Sequence, residues 1–258
     1  MKIAIAGAAG RMGQMLIAEI ARTDGCSLAG ALEGSGSNKL GTEAAKGVKI
    51  VADPAAAIGA AETLIDFTVP AATVTHAKIA ADKGVAMVIG TTGLNPEQTS
   101  TIHELARKTP IMWAANMSIG VNVLLALVER TASMLDPAYD IEVLEMHHRH
   151  KIDAPSGTAL ALGRAAAAGR KVKLEEVWRK SRDGHTGARP SGEIGFATLR
   201  GGEEVGVHTV MFAAAGERLE LSHRAFSRET YASGAVRAAL WLKGKKPGLY
   251  GMKDVLGL

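Results

Sequence analysis

The chain has 258 residues, of which 30 are Gly and one is Cys, with only three Trp, three Tyr and four Phe. A composition of 47% hydrophobic and 22% charged residues excludes a disordered chain, and glycines without a three-residue period exclude collagen. The lone Cys26 excludes an intramolecular disulfide and a cysteine-based zinc site, and a net charge of +4 is too small to argue for nucleic acid.

Residues 2–7 are a short apolar run ending in Gly, which predicts a buried strand. The run is too short for a secretion signal and ends near Arg11, so a cytoplasmic protein is expected. No uncharged apolar run reaches the ~18 residues of a membrane span. Residues 11–21 have helical spacing, 27–33 form the next strand, and 34–39 are a Gly/Ser loop. A loop and short helix around Asp53-Pro54 lead to a third strand at 63–69. Pro70 then opens a helix through Lys83, at the position where a missing N–H costs nothing. A fourth strand at 85–89 runs into Gly90-Thr91-Thr92-Gly93. Asn95 caps a helix with Pro96 in its first turn, running to about Lys108, and 111–115 form the fifth strand. Strands that are apolar throughout and separated by helices predict a parallel sheet covered on both faces. The handedness of such crossovers gives a Rossmann-type, doubly wound α/β fold with its ligand beyond the carboxyl ends of the strands.

After Ser118 the pattern changes. A helix at 121–135 precedes a strand at 140–146, which runs into His147-His148-Arg149-His150-Lys151. A loop with Pro155 leads to a helix at 156–168. Strands at 192–199, 206–214 and 218–224 follow, joined by Gly-rich turns such as Gly201-Gly202. Successive strands without helices between them predict a second α+β domain with a mostly antiparallel or mixed sheet. A helix at 227–242 and a Gly-interrupted tail complete the chain.

Gly7-Ala8-Ala9-Gly10-Arg11-Met12-Gly13 follows a strand and opens a helix. Gly7 and Gly10 let the backbone approach a pyrophosphate, and Gly13 permits close helix–strand packing. The spacing is GxxGxxG, which alone is a weak signal. Glu33 strengthens it: it closes the second strand 20 residues after Gly13, where an acid grips ribose hydroxyls. The loop, the acid and the alternating strands together predict dinucleotide binding. Gly34 follows Glu33 where a cation would favour a 2′-phosphate, and only Arg11 or Lys39 could reach one. NADH is therefore expected to serve at least as well as NADPH.

Three of the eight histidines lie in the cluster 147–151. A metal site would need the adjacent histidines to converge, whereas neighbours on a strand point to opposite faces. A nucleic-acid patch lacks interleaved aromatics. A solvated charge run and a polyanion site in an enzyme remain. If the strand continues, His147, Arg149 and Lys151 share one face, and His148 and His150 the other. Pro155-Ser156-Gly157-Thr158 then opens a helix, either as an anion site or as a simple N-cap. The two signals together describe a pocket for a small molecule with more than one carboxylate. Beside a dinucleotide domain, such a pocket implies hydride transfer with a protein acid supplying the proton. A nucleotide-sensing regulator would not need the paired proton donors. A thiol-dependent aldehyde dehydrogenase would need a cleft cysteine, and Cys26 lies before the second strand.

The run Glu145-Met146-His147-His148-Arg149-His150-Lys151-Ile152-Asp153-Ala154-Pro155-Ser156-Gly157-Thr158-Ala159 closely resembles a segment of the bacterial dihydrodipicolinate reductase family. The likeness extends along the chain, through the GAAGRMG loop, Gly90-Thr91-Thr92-Gly93, residues 116–122, Ser181-Arg182-Asp183-Gly184-His185-Thr186-Gly187, Ile194-Gly195-Phe196-Ala197 and Gly234-Ala235-Val236-Arg237. The resemblance implies NADH- or NADPH-dependent reduction of the dehydrated form of 4-hydroxy-tetrahydrodipicolinate, on the diaminopimelate route to lysine. It implies His147 as acid/base, Lys151 as a second proton donor, His148 as a substrate contact, and Gly157 and Thr158 as the loop for a substrate carboxylate. It implies cofactor contacts at Gly7, Ala8, Ala9, Gly10, Arg11, Met12, Glu33, Gly90, Thr91, Thr92, Ala114, Ala115, Asn116 and Met117, and no metal. A homotetramer joined through the sheets of the C-terminal domains is implied, with a small dicarboxylate substrate and neither nucleic acid nor membrane as partner. The last helix is implied to return to the first domain. The dinucleotide domain then spans 1–118 plus 227–258, and the substrate-binding and oligomerisation domain 119–226. Gly34, Met117 and a short segment after Ala168 depart from the family pattern.

Overall fold

In the computed structural model, which describes residues 1–258, the apolar runs form strands because each is buried on both faces. The first part of the chain gives β1 (Lys2–Ala6), α1 (Arg11–Arg22), β2 (Ser27–Leu32), β3 (Glu43–Ala45), β4 (Val48–Val51) and α2 (Pro54–Gly59). It continues with β5 (Thr63–Asp66), α3 (Pro70–Lys83), β6 (Ala86–Ile89), α4 (Pro96–Leu105) and β7 (Pro110–Trp113). Next come α5 (Ile119–Met134), β8 (Asp140–His147), α6 (Gly157–Gly169), α7 (Leu174–Val177) and β9 (Trp178–Arg179). The chain ends with β10 (Ile194–Arg200), β11 (Gly206–Ala214), β12 (Glu217–Ala225), α8 (Glu229–Leu242), β13 (Gly248–Tyr250) and α9 (Met252–Leu256). These elements form two units, Met1–Ile119 with Glu229–Leu258, and Gly120–Arg228.

The first unit holds an eight-stranded sheet in the order β13-β7-β6-β5-β1-β2-β4-β3, parallel except for the β3–β4 pair. From β1 the chain builds outward first through β2 and then, on the other side, through β5. The carboxyl ends of β1 and β5 therefore flank the switch point where such sheets bind ligands. Alternate residues of each strand feed two cores. Ile3, Ile5, Ile65 and Val88 meet Leu16 and Ile20 of α1 and Ala235 and Val236 of α8. Ala4, Ala6, Leu64 and Met87 meet Ile58 of α2, Ala77 and Ala80 of α3 and Ile102 of α4. Asn95 and Gln98 close a reciprocal capping box at the start of α4, as the Asn-Pro signal predicts. Small side chains fill the role of the missing aromatics: α1 lies so close to the glycine loop that a Cβ on Gly13 would sit 2.1 Å from the Gly7 carbonyl oxygen.

The second unit is built on a five-stranded mixed sheet, β12-β11-β8-β10-β9. β8 runs parallel to β10 and antiparallel to β11, which pairs antiparallel with β12. Leu124 and Val128 of α5 and Ala159, Leu162 and Ala166 of α6 pack on Ile141, Val143, Phe196, Val210 and Phe212 of one sheet face.

Three expectations change. The strand at 140 runs one residue further and ends at His147; residues 149 and 150 are a turn. The shared face of His147, Arg149 and Lys151 therefore does not form. Gly201-Gly202 does not join neighbouring strands, because β8 lies between β10 and β11. The connection instead arches over the end of β8, where the Gly201 and Arg149 amides donate to the His147 and Gly202 carbonyls and the His148 amide donates to the Glu204 carbonyl. The 41–51 region is a hairpin, and the tail adds β13 to the sheet edge; neither was expected, since strands of three or four residues leave almost no periodic signal.

Candidate active site

In the first unit, the carboxyl ends of β1, β2 and β5 open onto a cleft of about 480 Å³, lined among others by Gly7, Gly10, Glu33, Gly34, Thr68 and His76. A second cleft of about 280 Å³ shares Gly7, Gly10, Phe67 and Thr68 and adds Arg11, Met12, Gly90, Thr91 and Thr92. Gly7 has φ of +81°, and a Cβ there would lie 2.7 Å from the Phe67 carbonyl oxygen, so both conformation and space require glycine. Helix α1 starts at Gly10 with no side-chain cap and no acid in its first turn, which leaves a positive helix end beside the cleft.

The Glu33 carboxylate accepts the Ala9 amide at 2.9 Å and the Gly34 amide at 3.1 Å. The acid is thereby tied to the glycine loop. Arg11 belongs to the second cleft, and no Lys or Arg lines the first. The uncapped helix end, the glycine loop and the pinned acid fit a dinucleotide.

Not every predicted contact faces these clefts. Ala8 is fully buried; its amide donates to the Leu32 carbonyl and its carbonyl accepts from the Gln14 side chain. It shapes the loop from beneath. Gly90 has a packing reason of its own, because a Cβ there would lie 2.3 Å from the Phe67 ring. Ala114, Ala115, Asn116 and Met117 follow β7 outside both clefts. Met117 is buried in the core, and Asn116 accepts the Ser118 amide.

In the second unit the centre is Glu145, 1% exposed, on the same strand face as His147. Its carboxylate accepts from His147 Nδ1 at 2.6 Å, both terminal nitrogens of Arg200 at 2.8 and 2.9 Å, the Ser156 amide at 3.1 Å and the Thr198 hydroxyl at 3.3 Å. Burial alone would raise its pKa, but the bonds from His147, Arg200 and the Ser156 amide outweigh this and hold it at about 2. The carboxylate thus joins the end of β8 to the start of α6. Ser156 caps that helix, accepting the Ala159 amide at 3.1 Å. Exposed Gly157 follows, where a Cβ would meet nothing within 4 Å, and Thr158 stands next to it in the first turn.

His208 of β11 stands edge-on to His147, ring centres 5.1 Å apart, with Nε2 3.2 Å from the Ser156 hydroxyl. Burial, then the neighbouring His147, pushes its pKa down to about 4. His148 Nδ1 is buried without a partner, and burial followed by the charge of Arg228 lowers the pKa of that ring. Lys151, beyond the turn, is held by Asp153 at 2.6 Å, and this bond lowers the Asp153 pKa. Glu145, Arg200 and His208 were not assigned roles from the sequence. The signal for Glu145 was its two-residue spacing from His147, which puts both on one strand face; Arg200 and His208 reach the site only through strand pairing.

A family model described as "Dihydrodipicolinate reductase, N-terminus" matches residues 1–117, and one described as "Dihydrodipicolinate reductase, C-terminus" matches residues 120–256. The 4-hydroxy-tetrahydrodipicolinate reductase of Methylocella silvestris is 52% identical, covering 100% of this chain and 97% of its own. That of Parvibaculum lavamentivorans is 53% identical, covering 100% and 98%. Among solved structures, a dipicolinate-bound dihydrodipicolinate reductase from Paenisporosarcina sp. TG-14 shares the fold with a TM-score of 0.81 at 24% identity, over 98% of each chain. No helix is long and apolar enough to cross a membrane.

His208 and Glu145, the two most strongly shifted groups of the second unit, contribute to its loss of stability in acid. His208 stays neutral down to about pH 4 when folded, while the unfolded chain protonates near its ordinary 6.5. The contribution of His208 to stability is therefore complete above pH 6.5 and falls as pH drops toward 4. Glu145 contributes fully above its ordinary 4.5, and that contribution is lost as pH falls toward 2. Urea unfolding should show lower stability at about pH 5 than at about pH 7, and His208→Gln should flatten this slope. Equal slopes in the two proteins would remove His208 from the account.

Proposed function

The chain belongs to the dihydrodipicolinate reductase family, and on that premise we propose the roles its residues play. It is an oxidoreductase that uses NAD(P)H to reduce the dehydrated form of 4-hydroxy-tetrahydrodipicolinate to tetrahydrodipicolinate, in diaminopimelate and lysine biosynthesis. We assign it to the cytoplasm.

The observation that carries the assignment of residues is Glu145, which bonds both His147 and the Ser156 amide. With Nδ1 held by that carboxylate, His147 keeps Nε2 as the nitrogen through which it exchanges a proton. The first turn of α6, at Gly157 and Thr158, receives a substrate carboxylate at the positive end of the helix dipole. Lys151 supplies a full positive charge for a dicarboxylate and is the second proton donor, with Asp153 holding its ammonium between turnovers. His148, with its unpartnered Nδ1, contacts the substrate. In the first unit, Gly7, Gly10, Arg11 and Met12 face the pyrophosphate, and Glu33 takes the ribose hydroxyls. When bound, the reduced nicotinamide supplies the hydride.

A homotetramer fits the face of the second sheet that α5 and α6 leave uncovered. Strand alternation and pairing put Leu144, Met146, Leu199, Val207 and Met211 on it, with Leu199 49% exposed.

Absorbance should show NADH oxidation on addition of freshly made 4-hydroxy-tetrahydrodipicolinate. His147→Ala and Lys151→Ala should each lower turnover by about 100-fold or more, with NADH affinity within about twofold of wild type; a variant with near-normal turnover loses its role. NADH should match or exceed NADPH in kcat/KM, and a preference for NADPH above about 100-fold, some 2.7 kcal/mol, would exclude Glu33 as the deciding group. Light scattering should find a tetramer, and Leu199→Asp should dissociate it; a wild-type monomer would refute the assembly.

A further inference from the structure

The end of β5 carries a charge that the reaction does not use. Asp66 is fully buried. Its Oδ1 lies within hydrogen-bond distance of the Thr68 amide (3.0 Å) and of the hydroxyls of Thr68 (2.6 Å), Thr73 (3.1 Å) and Thr91 (3.1 Å). Its Oδ2 is 2.7 Å from Nδ1 of His76, itself only 8% exposed. The Thr73 hydroxyl also lies 2.8 Å from that of Thr91 and 3.2 Å from that of Thr68. The three hydroxyls thus crowd around one carboxylate oxygen, and neither Lys nor Arg takes part.

An ionised carboxylate out of water costs several kcal/mol unless its lone pairs are satisfied. The donors that satisfy Asp66 come from three separate stretches: the loop after β5, the first turns of α3, and the loop after β6. Those stretches line the two clefts. Thr68 and His76 belong to the larger one, and Thr68, Gly90, Thr91 and Thr92 to the smaller. Asp66 and Thr73 line neither. Thr91 is further fixed through its carbonyl, which accepts from Trp113 Nε1 at 3.2 Å.

We propose that Asp66 is a positioning residue for cofactor binding, which clamps the 67–69 loop and the 90–92 loop through Thr68, Thr73 and Thr91 and holds the His76 ring directly. The clamp acts by preorganisation: loops already fixed need not be ordered when the dinucleotide arrives. Its loss therefore weakens binding and leaves the hydride step alone. The proposal rests on the two clefts being the cofactor site.

The test is a set of dissociation constants for NADH, measured by calorimetry on variants shown to be folded by circular dichroism. Thr73→Val keeps the side-chain volume and removes the hydroxyl; Thr73→Ser keeps the hydroxyl. Thr73→Val should raise the dissociation constant about tenfold, with kcat at saturating NADH within about twofold of wild type, and Thr73→Ser should restore binding. Asp66→Asn should weaken binding at least as much; if it does not fold, the Thr73 pair decides. A purely structural cluster would lower the melting temperature of Thr73→Val and leave NADH affinity unchanged, which overturns the clamp. Glu33→Ala separates the two claims. If it weakens NADH binding and Thr73→Val does not, the clamp alone fails. If Glu33→Ala has no effect, the cofactor-site assignment fails and takes the clamp with it.

Discussion

A carboxylate buried at the end of a sheet strand must be surrounded by donors, and each unit of this chain is arranged about one. Asp66 closes β5 and Glu145 lies two residues before the end of β8. Both are essentially without solvent contact. Their donors are not strand amides, which are spent on the sheet ladder. They come from the adjoining loops, helix starts and neighbouring side chains, which the charge therefore immobilises. Removing a donor from such a site leaves an uncompensated buried charge, worth about 3–5 kcal/mol where an ion pair is broken. Loop segments that would otherwise be free at the carboxyl ends of the strands are thus held in one arrangement.

The two carboxylates differ in their partners, and the difference suits their places. Asp66 is met by neutral hydroxyls, an amide and one imidazole, so it shapes a cleft without bringing a fixed cation to it. Glu145 is met by the Arg200 guanidinium and by His147, so its charge is largely spent within the network. Two imidazoles stand side by side there. Burial keeps His208 neutral through the physiological range, while His147 has a carboxylate on Nδ1. Of the pair, only His147 is bonded to the Glu145 carboxylate. The carboxylate that orients it fits the proton-transfer role proposed for that ring.

Much of this was legible because it is written in local pattern. Apolar runs gave the parallel sheet, the glycine spacing with Glu33 gave the first cleft, and Ser156 at the start of a helical stretch gave the cap. What escaped depends on tertiary contact. Asp66 is a single acid ending an apolar strand, and nothing nearby in sequence shows that Thr73 and Thr91 converge on it. His208 and Arg200 reach Glu145 only through the pairing of β8 with β11 and β10. Gly90 lines the second cleft, but the Phe67 ring adds a packing demand for glycine there that sequence does not display. The continuous face expected of His147, Arg149 and Lys151 failed because the arching 201–205 connection takes up the His148 and Arg149 amides and ends the strand.

The fixing of Glu33 also bears on which dinucleotide the first unit takes. An acid on a free loop could swing aside for a 2′-phosphate, at the cost of one lost hydrogen bond. Glu33 has less freedom, because its two oxygens accept the amides of Ala9 and Gly34, and Ala9 belongs to the glycine loop. Moving the carboxylate would strand the Ala9 amide beside the proposed pyrophosphate site and loosen the loop that forms it. A phosphate would also find no Lys or Arg lining that cleft to offset its charge. On the proposed assignment of Glu33 to the ribose, selection against the phosphate would be coupled to the shape of the loop. Relaxing it would take more than adding a cation at Gly34, since the acid itself would have to be replaced by a group that still accepts from Ala9.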